Sequence, residues 1–208
     1  MSKENLRRPI LATLAILGWF AIVSQFYLAQ QNSEKSVFET TINFFSFFTI
    51  LTNLLVAICA TMLFLRIHSR LTTTKFISAI AVYISIVGLV YNLVLRFTWD
   101  PQGFQKFTDE LLHTAIPILF VVYWLLYSPR ELTWRNAFQW LIYPLVYSIY
   151  TLVHGIIANW YPYPFIDPNK IGWSNVVLNS IYVLLTFMVV SMIFITINRR
   201  SGSDTPFS

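Results

Sequence analysis

Charge is what this sequence has least of. Only 11% of its 208 residues are Asp, Glu, Lys or Arg, while 56% are hydrophobic; a soluble domain carries about 25% charged residues to clothe its surface. That scarcity excludes a water-soluble fold of this size. Cysteine is nearly absent: Cys59 stands alone, which excludes an intrachain disulfide and any zinc cage built on cysteines. There is no low-complexity tract and no internal repeat. No small-residue cleavage site follows the first apolar run behind Arg7 and Arg8, so that run reads as a retained anchor and not a secretory signal.

What the sequence has instead is apolar runs of membrane length. A bilayer core of about 30 Å takes about 20 apolar residues of helix, and six segments meet that requirement, at roughly 9–29, 43–65, 76–95, 110–127, 136–157 and 174–197. The expected fold class is all-α: one integral membrane domain over residues 1–208, a polytopic six-transmembrane-helix bundle with short connections and both termini cytoplasmic. The orientation follows from the cations. Lys3, Arg7, Arg8, Arg66, Arg70, Lys75, Arg130, Arg135, Arg199 and Arg200 fall on one side, and only Lys35, Arg96, Lys106 and Lys170 on the other. The positive-inside rule places the first group in the cytoplasm. The net charge of +5 is thereby membrane topology and not a nucleic-acid footprint, and the expected location is the cell (inner) membrane.

Function is sought where polar groups enter the apolar spans, because each is costly in hydrocarbon unless it faces the bundle interior or water. Asn43, Ser46, Thr49 and Asn53 form one stripe on the second helix by their three-to-four-residue spacing. Ser85, Gly88, Asn92 and Arg96 do so on the third, Tyr143, Tyr147, Tyr150 and His154 on the fifth, and Asn175, Asn179, Tyr182 and Thr186 on the sixth. The fourth helix is expected to start with Asp109, Glu110, His113 and Thr114, with Pro117 one turn deeper. At about 1.5 Å of rise per residue, Thr49 would lie roughly 9 Å and His113 roughly 6 Å inside their helices, at one level of the bundle. This coincidence points to a polar chamber opening outward. The loops on that side carry Trp99-Asp100-Pro101-Gln102-Gly103, which is turn chemistry, and the aromatic segment Trp160-Tyr161-Pro162-Tyr163-Pro164-Phe165. The latter reads either as an aromatic belt or as a cap over the chamber.

Several of these pieces together resemble the six-helix prokaryotic relatives of the androgen-induced membrane hydrolase family, intramembrane threonine hydrolases that cleave fatty acid esters of hydroxy fatty acids. The matching residues are Phe47-Phe48-Thr49 with Thr52-Asn53, Tyr91-Asn92-Leu93 through Arg96, Leu112-His113-Thr114 with Pro117, Tyr143-Pro144 and Tyr147, and Trp160 to Phe165. Asp109 and Glu110 depart from the Asn and His expected in the animal members. The resemblance implies Thr49 as nucleophile and His113 as its base, acting on a lipid or fatty-acyl ester in the bilayer, with no metal or organic cofactor. The chemistry is coherent: a hydroxyl is a weak nucleophile until a neighbouring base takes its proton, and neutral imidazole suits that task. Asp109, four residues before His113, either orients the ring or is a solvated helix-start charge. Asn53, Asn92 and Asn179 are candidate oxyanion donors.

Arg96, Tyr147 and His154 are the candidate substrate contacts. For Arg96 three readings stand: a snorkelling interfacial cation, a clamp on a substrate carboxylate, or an ion pair with Asp109 or Glu110. Two other function classes compete with the hydrolase. A small transporter or channel would use the chamber as its vestibule, and broken helices would be its sign. A single-haem membrane cytochrome would ligate iron through His113 and His154.

Overall fold

The computed structural model describes residues 3–97 and 100–201, so Trp99 of the predicted turn lies outside the described residues. They are helical, with no strand among them. In chain order the helices are α1 (Lys3–Gln31), α2 (Val37–Phe45), α3 (Phe48–Phe64), α4 (Thr74–Val90), α5 (Gly103–Glu110), α6 (Ile116–Tyr127), α7 (Arg135–Trp140), α8 (Ile142–Ala158), α9 (Pro168–Ile171) and α10 (Trp173–Ser201). Five stretches are long and apolar enough to cross a bilayer: Asn5–Gln31, Thr74–Leu95, Gly103–Tyr127, Arg135–Ala158 and Trp173–Arg200. The sixth is α2 with α3, a pair bent by 75°.

That bend changes the expected second span. Residues 43–65 do not form one helix. Ser46 N donates to Asn43 O at 3.1 Å and Phe47 N to Phe44 O at 3.3 Å, a tightened last turn. The Ser46 hydroxyl donates to Ile42 O at 2.9 Å, and Phe47 is extended at φ −81°, ψ 127°. Aromatic side chains lose rotamer freedom in a helix, and here they find better partners outside it. Phe44 packs edge-on against Phe26 at 5.1 Å and against Phe45 at 5.2 Å, which turns α2 toward α1. Asn43 and Ser46 therefore leave the stripe that carries Thr49 and Asn53.

The contacts divide the chain into two compact units, residues 1–132 with 196–208, and residues 133–195. In the first, α1 packs on α3, α3 on α4 and α4 on α6. Gly18 lets α1 approach α3 closely, since a Cβ there would meet Ala57 Cβ at 2.9 Å. The core is the buried face of α3 (Val56, Ala57, Cys59, Ala60), the inner side of α4 (Ile77, Ile80, Ala81, Ile84) and Phe120, Tyr123 and Trp124 of α6. Trp124 Nε1 donates to Ser78 Oγ at 2.7 Å, which satisfies both buried groups across α4 and α6. Asn198, near the end of α10, donates to Ser128 Oγ at 2.9 Å and accepts from Leu132 N at 3.2 Å.

In the second unit α7 stops at Leu141, three residues before Pro144, whose ring cannot fit the preceding turn of a continuing helix. Helix α8 ends at Asn159 in the left-handed conformation, φ 49°. The segment after it folds back: the Tyr161 ring occupies the space a Cβ on Gly155 would need. Asn179 Nδ2 of α10 donates to Phe165 O at 2.9 Å.

Candidate functional site

Two π-helical turns define the site in the first unit, Tyr91–Leu95 at the end of α4 and Leu111–Ala115 between α5 and α6. A π turn is a costly register, found mostly at functional positions. Its cause in the second case is legible in the bonding. Ile116 N reaches back to Leu111 O, five residues earlier. Leu112 O thus loses its ordinary donor, and its π partner would be Pro117, which has no N–H. His113 O loses the same donor one residue on. Two consecutive carbonyls are left open in the middle of a buried span, each needing a donor.

Two asparagines supply them. Asn53 Nδ2 of α3 donates to Leu112 O at 3.1 Å and to Thr49 O at 2.9 Å. Asn92 Nδ2 of the other π turn donates to His113 O at 3.3 Å and to Gly88 O at 2.8 Å. Gly88 admits this approach, because a Cβ there would lie 3.3 Å from both His113 O and Pro117 Cβ. A carboxamide nitrogen has two protons, and all four are engaged. Asn53 and Asn92 therefore hold the π turn rather than offering their donors to an oxyanion.

Their bonds fix the level of the catalytic candidates. One carboxamide bridges the Thr49 backbone to the carbonyl that precedes His113, so the first turn of α3 and the π turn share a level. The reason differs from the sequence expectation. Helix α5 begins at Gly103, so His113 sits ten residues into the Gly103–Tyr127 span, about 15 Å at the helical rise. Thr49 is the second residue of α3, buried to 8% exposure, and not 9 Å inside a longer helix.

His113 is gripped from one side. Its Nδ1 lies 3.0 Å from Asp109 O and 3.2 Å from Asp109 Oδ1. Two acceptors at one nitrogen select the tautomer with the proton on Nδ1, leaving Nε2 as the bare, basic atom. Asp109 is buried to 6% exposure within the helix, so it is no solvated helix-start charge. The imidazole stacks on the Tyr91 ring, centroids 4.1 Å apart at 15°. The guanidinium of Arg96 lies over the same phenol at 5.4 Å and pairs with the Glu110 carboxylate. Of the three readings of Arg96, the ion pair is the one present.

The second unit holds the remaining candidates. His154 stacks on Tyr150 at 5.8 Å and meets Trp160 edge-on at 6.1 Å; its Nδ1 is buried without a hydrogen-bond partner. Tyr147, half-buried, lies on the same helix, α8. Asn179 serves the Phe165 carbonyl. Burial, with Asp167 nearby, pushes the Tyr161 phenol above its ordinary range. His113 and His154 belong to different units.

The sequence singled out Gly88 in a stripe and Tyr91 and Thr52 as matching residues, with no chemical role for any of them. Gly88 accepts from the Asn92 donor and Tyr91 precedes it, and Pro117, four residues after His113, was the signal: a proline inside a span opens a carbonyl that something must fill. Comparison with known proteins returns no matching family model, no matching characterised protein and no matching solved structure.

Proposed function

We propose that this chain is a membrane hydrolase of lipid esters, of the type that joins a fatty acid to a hydroxy fatty acid, with Thr49 as nucleophile and His113 as base. The observation that carries the reading is the His113 grip: Asp109 occupies Nδ1 and leaves Nε2 free to take a proton. Thr49 Oγ attacks the ester carbonyl carbon as its proton passes to His113. The alkoxide then leaves with that proton, and water releases the acyl group from the threonyl ester. The Asp109 carboxylate stabilises the imidazolium formed in between. On the positive-inside reading of the lysines and arginines, this site lies on the outer side of the membrane. The sequence resemblance adds the substrate class. Labelling by a lipid fluorophosphonate tests the proposal: the wild type should be modified at Thr49, and Thr49→Ala should not. Absence of Thr49-dependent labelling and hydrolysis would sink it.

The broken α2–α3 span favours a second reading, since transporters build their sites from discontinuous helices. On that reading, Thr49→Ala leaves substrate flux across liposomes intact and no ester is cleaved. A cytochrome would declare itself by Soret absorbance of the purified protein.

A further inference from the structure

We infer that the first turn of α3 is the oxyanion hole of this site, with the Ile50 N–H and the Thr52 hydroxyl as its two donors. The inference rests on the threonine-hydrolase reading and supplies what that reading lacks, a place for the negative charge on the carbonyl oxygen. Asn53 and Asn92 are committed to the carbonyls of Leu112 and His113. The break at Ser46–Phe47 offers something else. The first intrahelical bond of α3 runs from Leu51 N to Phe47 O at 3.2 Å, so the N–H of Ile50, one residue earlier, has no intrahelical acceptor. Phe47, at the N-cap, has no side-chain oxygen with which to cap that turn. The residue after the nucleophile thus presents its amide at the positive end of a 17-residue helix. Nucleophiles set at a sharp turn into a helix use this amide to receive the oxyanion.

A second feature points to a ligand independently. Thr52 is fully buried at 0% exposure, and its Oγ1 has no hydrogen-bond partner. It does not even bond back to the carbonyl four residues earlier, as buried helical threonines commonly do. Spaced three residues from Thr49, it lies on the same face, and its side chain leans toward the first turn. A buried hydroxyl left open in this way calls for a partner, and an oxyanion can be one. When Thr49 Oγ bonds to the carbonyl carbon, the carbonyl π pair moves to the oxygen. Ile50 N–H and Thr52 Oγ1–H then donate to that oxygen until the alkoxide departs.

The test uses the full chain in detergent and a p-nitrophenyl ester of a medium-chain fatty acid. Thr52→Val keeps the shape and removes the donor. Its kcat should fall about a hundredfold with KM nearly unchanged. In the wild type, replacing the carbonyl oxygen of the ester by sulfur, a poor acceptor, should slow hydrolysis far more than it slows reaction with hydroxide. This second measurement decides the matter alone if Thr52→Val does not fold. Wild-type kcat in folded Thr52→Val, or an oxygen-to-sulfur rate ratio equal to that of hydroxide, overturns the oxyanion hole while leaving Thr49-dependent hydrolysis standing. A wild type with no Thr49-dependent hydrolysis of any ester removes both readings together.

Discussion

Asp109 reaches His113 twice, through its main-chain oxygen at 3.0 Å and through Oδ1 at 3.2 Å. The two contacts have different roles. The carbonyl selects the tautomer whatever the side chain, while on the proposed mechanism the carboxylate adds the negative charge that a transient imidazolium would need. Asp109→Asn should therefore lower kcat for ester hydrolysis by about tenfold to a hundredfold, less than where a triad carboxylate acts alone, with KM little changed. A rate equal to wild type would leave the carboxylate a purely structural role. Asn92 differs in kind. Replacing it by Leu strands His113 O in an apolar span and should cost about 1 kcal/mol of thermal stability, moderate because a chain unfolded in the bilayer finds other partners. Unchanged unfolding in detergent would show that the carbonyl has another donor. The Arg96–Glu110 pair is more exposed, at 41% and 38%. Screened by water, it contributes little, and Arg96→Gln should leave thermal unfolding nearly where it was.

Among the helices, the informative departures from regularity are the α2–α3 break and the two π turns. The apolar spans were legible because lipid demands about 20 continuous apolar residues, and hydropathy reports that demand directly. The break was not legible, because Asn43-Phe44-Phe45-Ser46-Phe47-Phe48 holds neither proline nor glycine, its two polar residues fit a helical stripe, and hydropathy does not register backbone direction. Spacing placed Thr49 and Asn53 on one face correctly, since both lie in α3; it failed for Asn43 and Ser46, which lie beyond the bend. His113 with Asp109 at i, i+4 was legible as one face, and stayed adjacent across the start of the π turn. The π turn depends on Pro117, whose effect on the carbonyls of Leu112 and His113 is a tertiary question. Pro117→Ala restores an N–H that either carbonyl can accept. The turn should then relax toward regular α-helix, swinging His113 about its axis. The expected result is undiminished thermal stability with kcat reduced at least about tenfold, because a shift near 1 Å at the chemistry costs that much or more. Retained activity would mean that the π register is not what aims the imidazole.

For the molecule as a whole, which end faces outward is expected to follow charge. The segments that carry Arg66, Arg70, Arg130 and Arg135 are expected in the cytoplasm, with ten of the fourteen cations in the segments expected there. Thr49 and His113 then face the exterior, where an ester would arrive from the outer leaflet. Single-cysteine labelling with an impermeant maleimide tests this cleanly, because the native Cys59 is buried at 0% exposure and gives little background. The reporting positions must themselves be accessible. Glu34 and Asn169, expected outside, and Arg70 and Glu131, expected inside, are exposed, whereas Leu132, next to Glu131, is buried at 5% and would stay silent in either orientation. In intact cells, cysteines at 34 and 169 should react, while those at 70 and 131 should react only after permeabilisation. The reverse pattern would invert the bundle and turn the Thr49 site to the cytoplasm, where its substrate would have to come from the inner leaflet. Reaction at all four positions in intact cells would mean that the chain does not span the membrane, and the positive-inside reading would fail with it.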